Sequence, residues 1–171
     1  MPREARVPNR NVRNYGRMEC FVALGGTMTE RPPTNDDVQS ILKLYELRRE
    51  QKLRLAREWY QTRFFPQSFD EIKAVVSPQN PDNAYFRMVT SYWDMAASFV
   101  NHGAVHEGMF LESAGEMFVV WVKVETFVQR IREELQMPRL LVNVEKLVGR
   151  APGGAERMKA IRARLAAQAP R

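Results

Sequence analysis

A chain of 171 residues with 26 Lys and Arg against 20 Asp and Glu, a net charge of +6, is long enough for one domain with a real core. Its only cysteine, Cys20, excludes an intramolecular disulfide scaffold, and one cysteine with two histidines leaves little material for a zinc site. No apolar stretch approaches the roughly 20 residues that cross a bilayer, so no membrane span and a cytoplasmic location are expected.

The charge is unevenly placed. Residues 1–31 carry +3 and residues 150–171 carry +5, whereas residues 32–149 carry −2, so the basicity belongs to the ends. The preference for arginine over lysine, 20 against 6, suggests a GC-rich genome of the bacterial kind.

In chain order, residues 1–33 are rich in proline and glycine without a sustained period and read as a disordered basic leader. Met18 and Met28 are alternative starts within it. The apolar piece Cys20 to Leu24 is too short for the core of a secretory signal. A helix is expected from Thr34 or Asn35 to about Phe65, with Asp36 and Asp37 in its first turn and Pro66 as its stop. Its apolar stripe includes Val38, Ile41, Leu42, Tyr45, Leu53, Ala56, Trp59, Tyr60 and Phe64, broken by Arg48, Arg49 and Lys52. Roughly 30 residues of helix span about 45 Å, more than a domain of this size needs, so its middle faces solvent or a second chain.

Ser68-Phe69-Asp70-Glu71 fits a Ser-x-x-Glu capping box and opens a short helix that Ser77-Pro78 closes. A central helical hairpin follows, at about 85–135. In its first arm Tyr85, Met88, Val89, Tyr92, Ala96, Phe99 and Val100 recur at helical steps after Asn80-Pro81-Asp82, and Gly103 is the stop. The second arm opens at Ser113-Ala114-Gly115-Glu116, another apparent capping box, and runs through Trp121 to Leu135. Its apolar run Met117–Val122 could alone be a buried strand, but the helical period continues beyond it. A further amphipathic helix spans Leu140 to Val148. After the flexible joint Pro152-Gly153-Gly154 comes a short helix whose stripe is Met158, Ile161 and Leu165. The expected architecture is therefore all-α: an antiparallel bundle at 34–149 around the hairpin, with one long N-terminal helix and a flexible basic tail at 150–171.

Three groups of residues invite a functional reading. His102 and His106 stand four apart with Glu107, Glu112 and Glu116 after them, but Gly103 and Gly108 interrupt any helix there, so they read as turn histidines and no metal is expected. Arg87, Ser91, Asp94, Ser98 and Asn101 form a polar stripe along the first arm: either a solvent face, or a pocket wall in which Arg87 takes an anionic group and Asp94 orients it. Arg157, Lys159, Arg162 and Arg164 flank the apolar stripe of the tail, which is expected to be frayed or lightly docked. No nucleophile elbow, phosphate loop or dinucleotide motif occurs, so neither catalysis nor a cofactor is expected.

A long charged helix ending in Trp-Tyr, an aromatic helix with Tyr92-Trp93, the turn Asn101-His102-Gly103, and a glutamate-dotted short helix before an apolar one together resemble a bacterial family of helical domains of unknown function. The likeness covers about residues 38–135. Several members carry a membrane anchor that this chain lacks. The resemblance implies the helical fold and no activity. The composition and pattern point to a non-enzymatic, self-associating interaction module whose N-terminal helix meets a protein partner. The alternative is a nucleic-acid-associated protein whose basic ends contact phosphates.

Overall fold

The computed structural model describes residues 31–168, and the expectations placed on residues 1–30 lie outside them. Among the described residues the chain is all-helical, with nine helices and no strand. They are α1 (Asn35–Leu47), α2 (Gln51–Thr62), α3 (Phe69–Val76), α4 (Asn83–Asn101), α5 (Glu107–Ser113), α6 (Gly115–Val122), α7 (Val128–Glu134), α8 (Val142–Arg150) and α9 (Gly154–Gln168). None is long and apolar enough to cross a membrane.

The single helix expected from residue 34 to 65 is two. At Glu50 the backbone leaves the helical region, with ψ 138°, and the Glu50 carboxylate accepts the Leu53 N–H at 2.8 Å. A second helix N-terminus is thus capped where Arg48, Arg49 and Lys52 interrupt the apolar stripe, because an acidic side chain there satisfies a donor that a new first turn exposes. α1 begins on a complete capping box between Thr34 and Asp37. Asp37 is buried and also accepts from Arg31 and, at 2.8 Å, from the His106 N–H, which pins the start of α1 to the start of α5. Arg31, then Thr34, hold this carboxyl well below the usual carboxylate range.

α4 is the central element, packed chiefly against α2 and α8. Phe86, Val89, Trp93, Ala96, Ala97 and Val100 form its buried face. Tyr85 meets Trp59, Phe86 meets Phe64, and the Tyr92 hydroxyl donates to Leu44 O at 2.8 Å, so α4 runs antiparallel to α1 and α2. Gly103 at φ +73° ends it, with Ala104 N–H returning to Phe99 O and Gly103 N–H to Val100 O, both at 2.9 Å. A residue with a side chain would be strained at that φ.

The second arm is also divided. α6 buries Met117, Phe118, Val120 and Trp121, but a turn at 123–127 separates it from α7. The expected capping box at its start does not form. Ser113 ends α5 with its hydroxyl donating to Phe110 O, Ala114 takes the N-cap position, and the Glu116 carboxylate crosses to α2. There it accepts from Arg57 Nε at 2.8 Å and from the indole N–H of Trp93 at 3.4 Å.

Lys123, at the end of α6, is buried. Its ammonium donates to Tyr60 O at 2.7 Å, Phe64 O at 2.8 Å and Gln61 O at 3.1 Å. It therefore caps the C-terminal end of α2, where the last carbonyls of any helix lack internal partners.

The Pro-Gly-Gly joint is a defined turn. Gly153 is left-handed at φ +65°, and a Cβ on Gly154 would sit 2.7 Å from the Val148 carbonyl oxygen, so both positions require glycine. α9 then lies on α6 and α8, with Ile161 buried and Met158 and Leu165 packed against the core.

Candidate functional site

Residues 87, 91, 94 and 98 are spaced by three and four, which places them along one face of α4. The structure brings Arg87, Ser91, Asp94 and Ser98 together on one wall of an open groove of about 870 Å³. Asn101, the last residue of the stripe, is outside it: its amide donates to Asn143 O at 3.0 Å and its oxygen accepts from Arg150 at 2.7 Å.

The opposite wall is the turn between α7 and α8, Met137 to Leu141 with Asn143. This turn is held in an uncommon shape. Gln136 and Leu141 both take left-handed conformations, at φ 54° and 52°. For residues with a Cβ this costs roughly 1–2 kcal/mol each. Three contacts keep it there. Leu141 is 1% exposed, Arg132 donates to Leu140 O through Nε at 3.0 Å and Nη2 at 2.9 Å, and Arg132 also pairs with Glu145 at 2.8 Å.

Asp94 does not orient Arg87. Its Oδ1 accepts the N–H groups of Asn143 at 2.8 Å and Val144 at 3.2 Å, and its Oδ2 accepts from the Asn143 amide at 2.9 Å. Leu141, the N-cap residue of α8, provides no side-chain cap. A carboxylate from α4 fills that role and faces the positive end of the helix dipole. Asp94→Ala is expected to cost about 1–2 kcal/mol in urea denaturation; an unchanged midpoint would show that α8 does not depend on this cap.

With its one carboxylate so engaged, the groove has a distinct character. Met88, Met95, Met137, Pro138 and Leu140 give it an apolar floor and flanks. Arg87 and Arg139 stand at its exposed edge, and neither has an acidic partner among the described residues. No periodic signal in the sequence marked the second wall, because a turn contributes its residues through its shape rather than through spacing.

The histidines have local roles. His102 follows α4, with Nδ1 2.8 Å from Ser98 O, and His106 caps α5 by accepting the Met109 N–H at Nδ1, at 3.2 Å. Among the described residues no group of three His, Cys, Asp or Glu is placed to hold a metal ion. The tail cations divide. The Arg157 guanidinium stacks 4.3 Å from the centre of the Phe118 ring, and Arg162 pairs with Glu125 at 2.5 Å. Lys159 and Arg164 are exposed on α9.

A family model described as Domain of unknown function (DUF4760) matches residues 33–151. No curated protein and no solved structure matches the chain.

Proposed function

The chain belongs to this family of domains of unknown function, and on that footing we propose that it is a non-enzymatic helical interaction module that pairs with a second copy of itself. The observation that carries the reading is the outer face of α1. Val38, Leu42 and Tyr45 fall at positions i, i+4 and i+7 and are 37%, 50% and 51% exposed, although large apolar residues at that spacing are the mark of a buried helix face. Leu47 and Leu55 add exposed apolar surface on either side of the turn between α1 and α2. The polar side chains best suited to chemistry support the same reading, since Asp94, Glu116 and Lys123 are each committed to holding helices together.

Light scattering of the full chain at rising concentration is expected to give a mass of about twice 19.9 kDa. The double variant Leu42→Asp, Tyr45→Ser is expected to be a folded monomer whose melting temperature, unlike that of the wild type, does not rise with concentration. A wild-type chain that stays monomeric throughout would overturn the reading. Repeating the measurement with a short DNA duplex separates the alternative: apolar pairing holds or tightens as salt rises, whereas phosphate contacts by Lys159 and Arg164 weaken.

A further inference from the structure

We propose that the groove between α4 and the turn at 137–141 is a binding site for a single-chain aliphatic carboxylate, the chemistry of a fatty acid. Four observations point to this ligand, and none depends on self-association through α1. The volume, about 870 Å³, lies within the roughly 300–1,000 Å³ range of small-molecule sites. Met88, Met95 and Met137 line it, and unbranched thioether side chains adapt to a flexible hydrocarbon better than branched ones do.

Two guanidinium groups line the groove. Arg87 on α4 and Arg139 on the turn stand at the edge of the same apolar space from opposite walls, and a guanidinium fork matches a carboxylate in shape and charge. Asp94, the carboxylate that would repel such a head, already accepts three hydrogen bonds from α8. The groove is therefore positive at its edge and apolar within.

An extended peptide fits less well. The α4 wall keeps its backbone N–H and C=O groups inside the helix, so it offers no row of main-chain partners of the kind that strand addition requires.

The test titrates decanoate, below its micelle concentration, into the full chain by calorimetry, with decanol as the neutral comparison. Saturable one-to-one binding of decanoate is expected, with decanol bound about tenfold more weakly, the equivalent of one charge-assisted contact. Arg87→Gln and Arg139→Gln are each expected to weaken decanoate several-fold and leave decanol unchanged. Ser91→Trp, which fills the groove from its exposed wall, is expected to abolish binding of both. All three positions are exposed, so the variants should keep the wild-type melting temperature. Failure of decanoate to saturate, equal binding of decanol, or indifference to both arginine substitutions would each overturn the proposal. So would displacement of decanoate by an acidic amphipathic peptide that binds more tightly, which would make the groove a protein-docking surface.

Discussion

Trp93→Ala is expected to lower the free energy of unfolding by about 3–5 kcal/mol, the range for truncating a core aromatic. Trp93 is 2% exposed and joins α4 to the turn after α1 and to α6. Its ring meets Tyr92 edge-on at 5.1 Å, the Arg48 guanidinium lies 5.3 Å from its centre at the turn after α1, and its N–H reaches Glu116 on α6. Alanine would open a cavity among α1, α4 and α6 and leave the Glu116 carboxylate with Arg57 alone. Urea denaturation should show a lower midpoint with an unchanged slope. A loss under about 1 kcal/mol, the size of a surface substitution, would mean that α4 is not the centre of the domain.

Lys123→Met is the second large effect. Methionine keeps most of the volume but removes the three donors from Tyr60 O, Gln61 O and Phe64 O, two of these bonds being fully buried. Each buried carbonyl left unpaired costs about 1–3 kcal/mol, so a total of about 3–5 kcal/mol is expected, less whatever is regained by no longer desolvating an ammonium.

The same residue gives a pH signature. Burial, with a smaller contribution from Arg164, lowers the Lys123 ammonium from its ordinary 10.5 to about 8. Between these values the unfolded chain holds a proton that the folded chain has released. The unfolded state then binds more protons, and stability attributable to Lys123 rises with pH from about 8 towards 10.5 and is level below. Tyr60 and Tyr92 act the other way, since burial raises both phenols and the unfolded chain loses its phenolic protons first above about 10. Subtracting the Lys123→Met curve from the wild-type curve isolates the lysine. A difference that is flat across pH 8–10 would show that the three carbonyls hold the ammonium charged to its ordinary value.

What the sequence revealed and what it hid divide along a physical line. The helical class, the Thr34 start, the Ser68 cap and the Gly103 stop were legible because each rests on contacts among residues three to five apart. The break at Glu50 was missed although its cap is just as local, because Glu is an uncommon N-cap and the apolar period runs through the turn. Glu116 was misread for the opposite reason: its spacing from Ser113 fits a capping box, but Arg57, 59 residues away, competes for the carboxylate and wins through paired charge-assisted bonds. Asp94 and Lys123 likewise serve helices 49 to 63 residues distant, and no periodicity in the sequence reports such partners. One wall of the groove was therefore readable as a stripe on α4, and the other was not. Trp121 stood out in the densest apolar run, yet Trp93, in a stretch interrupted by polar residues, is the more deeply buried of the two.

The capping of α2 by Lys123 also constrains how the protein is made. A chain emerging from the ribosome exposes α1 to α4 before His106, Glu116 and Lys123 exist outside the tunnel. Until then Asp37 lacks the His106 N–H, Arg57 lacks its carboxylate and the last carbonyls of α2 are open to water. The aromatic group of Trp59, Tyr60, Phe64 and Phe86 already holds much of the apolar surface of that half, with nothing yet synthesised to cover it from the α6 side. Until the segment that ends α6 is translated, that face of the nascent first half is left open to water, the condition under which partly made chains are prone to associate.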